Sequence, residues 1–194
     1  MANVDAPSGF TPIRYASGHA YTGAASTYYK DATAGVIGVG DPVIKVTNSS
    51  DPLGGPEIVR ATTGSAITGV VVGIMPVQSN LNQHHLAAAD VGYVLVADDP
   101  NLVFMVQDNG GATGMAVTDV GQHIDSVAAI NANTTTGRSN YEIDTEAKAT
   151  DNTWILVGAH QRPDNDPTLA NAKWEVMANL HTEVNASATS HTEV

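Results

Sequence analysis

Short runs rich in β-branched residues recur along this chain, each closed by a turn cluster, and few stretches between them carry a helical pattern. Val outnumbers Leu and Thr is abundant, which favours pleated surfaces because β-branched side chains lose rotamer freedom in a helix. Pro42-Val43-Ile44-Lys45-Val46-Thr47 and Ile58-Val59-Arg60-Ala61-Thr62 are separated by turn residues, and the pair predicts a hairpin. A strand over 67–75 follows. Tyr93-Val94-Leu95-Val96-Ala97 and Leu102-Val103-Phe104-Met105-Val106-Gln107 flank Asp98-Asp99-Pro100 and also read as a hairpin. Further strands are expected over 122–127, 140–144, 153–159 and 173–180. Thr118 and Asp119 predict one short capped turn, and 81–90 reads as helix or loop. A doubly wound parallel sheet needs a helix of about 10 to 15 residues between strands. Such helices are missing, so the expected class is all-β, a jelly-roll-like barrel or sandwich.

The ends read differently from the middle. Residues 1–30 hold Pro7, Pro12, three glycines and scattered aromatics (Phe10, Tyr15, Tyr21, Tyr28, Tyr29) without a sustained period, which predicts an extended N-terminal arm that lies on another surface or wraps its own barrel. The body is then 31–180. Residues 181–194 form a short tail in which His181-Thr182-Glu183-Val184 recurs as His191-Thr192-Glu193-Val194, expected as a frayed or duplicated end.

Charge and composition narrow the function. Eight Lys and Arg against 20 Asp and Glu give a net charge of −12, and the basic residues stand singly. Direct nucleic-acid binding needs a basic stripe and is not expected. The longest strongly apolar run is Val70-Val71-Val72, so no membrane segment is expected. There is no cysteine, which removes thiolate chemistry and Cys-bearing zinc sites. His84 and His85 are adjacent, unlike the i, i+4 pair that shares a metal; Asp98-Asp99 and Asp164, Asp166 read as turns. Gly35, Gly38 and Gly40 have the wrong order for a dinucleotide fingerprint and read as turn and bulge positions. No catalytic, cofactor or metal constellation is expected, and Trp154 and Trp174, in strand patterns, are expected in the core.

Several phrases together resemble small structural proteins of tailed bacteriophages that coat the head as cement or decoration subunits. They are Ala2-Asn3-Val4-Asp5-Ala6-Pro7-Ser8-Gly9-Phe10 with Pro12; Gly40-Asp41-Pro42-Val43; Ala66-Ile67-Thr68-Gly69-Val70-Val71-Val72-Gly73; and Val96-Ala97-Asp98-Asp99-Pro100. Thr118-Asp119-Val120-Gly121, Thr135-Thr136-Gly137-Arg138-Ser139, and Gln161-Arg162-Pro163-Asp164-Asn165 with Ala172-Lys173-Trp174 continue the series. The duplicated tail lies outside that pattern.

The resemblance implies a β-rich body bound as a homo-oligomer to the outer surface of an expanded HK97-type shell, with the phage major capsid protein as partner. A homotrimer at local threefolds is expected, a homodimer at local twofolds being the alternative. The expected setting is the virion, after synthesis in the host cytoplasm, and no enzymatic activity is expected. Interface residues are expected to be Pro7, Phe10, Pro12, Ile13 and Arg14 in the arm, and Arg138 and Arg162 in turns. The alternative function is a head fibre or a receptor- or glycan-binding virion module, with Tyr15, Tyr21, Tyr28 and Tyr29 as a stacking surface.

Overall fold

The computed structural model describes residues 3–78, 80–111, 114–127, 131–149 and 152–184. The protein is all-β, as the turn-bounded runs predict. Eleven strands form among the described residues: β1 (Thr11–Tyr15), β2 (Ser26–Lys30), β3 (Pro42–Ser50), β4 (Pro56–Arg60), β5 (Gly69–Met75), β6 (Gly92–Ala97), β7 (Leu102–Gln107), β8 (His123–Ser126), β9 (Ile143–Lys148), β10 (Trp154–Ala159) and β11 (Lys173–Ala178). One 3-10 turn, Val117–Asp119, precedes β8, and the Asp119 carboxylate accepts the Ala116 N–H at 2.9 Å. The segment 81–90 is loop.

Two layers pack together. One is a six-stranded sheet in the order β1-β7-β11-β10-β8-β9, and the other is a closed barrel, β2-β4-β3-β5-β6. The sheet curls until the end of β7 meets the start of β9, where Asp108 bridges Ile143 and the Asn109 N–H donates to the Ile143 carbonyl at 3.0 Å. Alternation puts Trp154 and Leu156 of β10, and Trp174 and Val176 of β11, on the inner face, all fully buried. They share one core with Ala61, Ile67, Val70 and Ala97 from the barrel. A second core of Tyr28, Ile37, Val43, Ile58, Val71, Leu86, Val94 and Val96 fills the barrel.

The structure corrects two expectations about the strands. The β3–β4 hairpin forms, but β6 and β7 do not pair. β6 lies between β2 and β5 in the barrel, and β7 lies between β1 and β11 in the sheet. Asp99 accepts the Asn101 N–H at 2.8 Å, and the connection carries the chain from one layer to the other. The strand expected over 140–144 begins later, at Ile143, because Tyr141 is drawn wholly inside and its hydroxyl donates to the Ala61 carbonyl at 2.6 Å.

Where the structure describes them, residues 1–30 lie on the protein's own body. Phe10 is 1% exposed, β1 pairs with β7 and β2 closes the barrel against β6. Ahead of them, the Ala6 N–H and the Asp5 carboxylate are both held by the Gln107 side-chain amide. The Asn3 amide donates to the carbonyls of Asp166 and Ala170. The segment looks aperiodic in sequence because its anchors enter two different layers.

At the other end, His181 bridges Ile67 and is buried, Thr182 meets Thr68 through their hydroxyls at 3.1 Å, and Glu183 pairs with Lys45. The first His-Thr-Glu-Val is therefore docked, against the expectation of a frayed end. The second lies outside the described residues.

Candidate functional site

The carboxylates singled out in the sequence are occupied by the fold itself. Asp98 accepts the Tyr28 hydroxyl at 3.0 Å. Asp164 takes a two-point contact from Arg162 at 3.0 and 3.1 Å. Asp166 accepts both the N–H and the hydroxyl of Thr168. Among the described residues no group of three His, Asp or Glu side chains converges on a point that would hold a metal. Nor do the four tyrosines form one stacking face: Tyr28 is inside the barrel, Tyr15 pairs with Tyr21 and Tyr29 pairs with Tyr93.

One region does gather residues from distant parts of the sequence. The N-terminal chain crosses over 38–40 just before Phe10, and the segment 137–139 lies alongside. The Phe10 N–H donates to the Gly40 carbonyl at 3.0 Å, Gly40 N–H to Val71 at 2.8 Å, Val39 N–H to Gly137 at 2.8 Å and Ser139 N–H to Val39 at 2.8 Å. The crossing requires glycine: a Cβ on Gly9 falls 2.3 Å from the Ser139 Cβ, and one on Gly40 falls 2.6 Å from the Ser8 carbonyl oxygen. Both residues also have positive φ, where side chains are strained.

Two adjoining clefts of about 220 Å³ each open here and share Val39 and Arg138 as a common wall. The first is apolar, with Pro12, Tyr21, Val71 and Val72 around the edge of Phe10. The second runs past Ile74, Gln83 and His84. Compared with known protein families, curated proteins and solved structures, the chain matches none of them. The reading of the site rests on its own geometry.

Arg138 and His84 rim these clefts. Arg138 is exposed, and its backbone is fixed: its carbonyl accepts the Asn133 N–H at 2.8 Å, and the Asn133 carboxamide oxygen accepts the N–H groups of Thr135 and Thr136. No carboxylate among the described residues lies within ion-pair distance of its guanidinium. Arg14, Lys45, Lys148 and Arg162 by contrast each have one, in Glu175, Glu183, Asp119 and Asp164. His84 sits on Gly137, where a Cβ would fall 2.6 Å from the imidazole Cδ2. Its Nδ1 faces the Asn82 carbonyl at 3.1 Å and its Nε2 the Thr134 carbonyl at 3.0 Å. Only the doubly protonated imidazolium donates to both, and these carbonyls hold the pKa of His84 above its ordinary value.

Of the seven residues expected at an interface, Phe10, Pro12 and Arg138 meet at the first cleft. Phe10 does so as a core residue and not as a projecting anchor, since it is spent on Trp154. Pro7 and Ile13 are half-buried nearby in the chain. Arg14 is turned to Glu175, whose other oxygen meets His160 at 3.1 Å, and Arg162 is closed on its own turn. Val39, Val71 and Val72 escaped the sequence reading because strand-like valines carry no mark of a cleft. The glycines around Val39 were the available signal, as points of close chain approach. The arrangement is suited to binding: an apolar wall with positive charge at its rim.

Proposed function

We propose that this protein is a structural virion protein, a cement or decoration subunit that binds the outer surface of an expanded phage capsid as a homo-oligomer, with a trimer as the first expectation. It ties adjacent major capsid subunits against the outward pressure of packaged DNA. The observation that carries this reading is a convergence. Four phrases through which the sequence resembles that family, 2–10 with Pro12, 40–43, 66–73 and 135–139, come together at one crossing and its clefts. Phrases spread over more than 130 positions share one place on the surface, and a shared partner surface accounts for that.

Two further features support it. Asp5 and His181 are tied into the body through Gln107 and the Asp98 carbonyl, so a load on the surface is spread over both layers. The net charge of −12 keeps particles apart in solution. The mechanism is linkage: a subunit that binds the expanded lattice and not the unassembled capsid protein stabilises the expanded state by mass action. A closed oligomer that spans several capsid subunits adds effective concentration.

The test is the molar ratio of this protein to the major capsid protein in purified particles, by quantitative mass spectrometry, with co-sedimentation on expanded and unexpanded shells. Near-stoichiometric copies and selective binding to expanded shells are expected. A ratio lower by tens-fold moves the protein to a fibre or vertex, and absence from particles removes the reading.

A further inference from the structure

We propose that the paired clefts between Arg138 and His84 bind an extended acidic segment of a partner protein, in which a carboxylate is flanked by an aliphatic or aromatic side chain. This rests on the reading that the chain acts by binding a protein surface, and it specifies the chemistry of that contact.

Charge complementarity decides the occupant. The chain is strongly acidic, yet no Asp or Glu lines either cleft. At two other clefts the cation is already answered within the chain: Lys45 by Glu183 in the groove along β3, and Lys148 by Asp119 beside Gly121. Arg138 has no such answer among the described residues, and His84, along the second cleft, is turned to two backbone carbonyls and to no carboxylate. A planar guanidinium on a fixed backbone presents parallel N–H donors to a carboxylate, the geometry in which Arg is most selective.

The apolar half sets the rest. Pro12, Tyr21 and Val72 give a free inorganic anion nothing to gain, whereas a side chain next to the carboxylate would leave water against them. The net charge of −12 disfavours a polyanion such as nucleic acid. A short extended peptide satisfies both halves: its carboxylate lies at Arg138, its apolar neighbour lies against Pro12 and Val72, and its chain continues toward His84.

The probe is acetyl-Leu-Glu-Leu-amide, titrated into the ¹⁵N-labelled full chain and followed by the Arg138 Nε–H and the amides of Val39 and Gly137. Acetyl-Leu-Lys-Leu-amide is the control peptide. Saturable shifts with the Glu peptide are expected, at least about tenfold weaker with the Lys peptide. R138Q should weaken the Glu peptide by about tenfold or more, while R162Q, whose guanidinium is closed on Asp164, should not change it. The absence of shifts, equal shifts with both peptides, or an unaffected R138Q overturns the proposal. A chain that ignores the peptide yet sediments with shells overturns the clefts and spares the cement reading. A chain that takes the peptide but not the shells does the reverse.

Discussion

Phe10 and Trp154 lie face to face, their ring centroids 4.2 Å apart and their planes 15° from parallel, with Phe104 edge-on to the same indole at 5.8 Å. A residue from the first tenth of the chain thus completes the core built by β7, β10 and β11. Removing a buried aromatic side chain loses its transfer free energy and leaves a cavity. Phe10→Ala is expected to cost about 3 to 5 kcal/mol, read as a lowered urea midpoint with an unchanged slope. An unchanged midpoint would mean that the opening segment is a detachable arm after all.

A second prediction concerns Asp108, which is 1% exposed. One carboxylate oxygen accepts the Trp174 indole N–H at 2.8 Å, and the other accepts the N–H groups of Asn171 and Gly110 at 2.7 and 3.0 Å. Asp108→Ala strands three donors, each costing about 1 to 3 kcal/mol when buried and unmet. Trp174→Phe strands only one acceptor, Oδ2, while Oδ1 keeps both of its backbone donors. Chemical unfolding should therefore show Asp108→Ala as the more damaging change on the polar side of this contact. The reverse order would mean that the indole's packing alone matters and that water reaches the three donors.

These two contacts mark where the sequence was readable. Trp154 and Trp174 sit in strand patterns and announce themselves as core, and the β3–β4 hairpin is legible because both strands and the turn between them are contiguous. The pairing of β6 was not legible. Its partner β2 lies about 65 positions upstream, in a segment whose apolar residues come singly, so adjacency pointed wrongly to β7 across Asp98-Asp99-Pro100. The site was legible only in pieces: Pro12 and Arg138 carry their chemistry in their names, but the cleft between them depends on a crossing of 9–10, 38–40, 71 and 137–139 that no local period encodes.

The docked His181 should make stability depend on pH in the acid range. Its Nδ1 accepts the Glu183 N–H at 3.2 Å and its Nε2–H donates to the Asp98 carbonyl at 3.1 Å, so the neutral imidazole satisfies both partners. Burial pushes its pKa down, outweighing the carbonyls and the Asp98 and Glu183 carboxylates that pull it up. A base with a lowered folded pKa contributes stability above its unfolded pKa, about 6.5, and loses that contribution as pH falls. The wild type should therefore lose more thermal stability than His181→Gln between pH 7 and pH 5. Parallel losses for the two chains would remove His181 from the account.

Asp41 acts in the opposite direction. It is fully buried beneath the crossing; its Oδ2 accepts the Gly38 N–H at 2.9 Å, while Oδ1 has no hydrogen-bond partner in good geometry among the described residues. Burial raises its pKa from 3.8 to about 6, although Ser139, the Gly38 N–H and Arg60 all pull it down. A raised folded pKa means that the contribution is complete below the unfolded pKa and is lost as pH rises through about 6. The shift of about two units corresponds to an upper limit of about 3 kcal/mol at neutral pH. Asp41→Asn keeps a carbonyl oxygen for Gly38 and carries no charge at any pH. It should be more stable than the wild type at pH 8 by up to that amount, and the advantage should vanish below about pH 4. His181 and Asp41 act on the pH dependence with opposite signs. The comparison has to be made variant by variant, by urea unfolding at fixed pH. An Asp41→Asn chain that is less stable at pH 8 would mean that the buried carboxylate is held charged by Arg60, and that the crossing of the N-terminal chain depends on that charge.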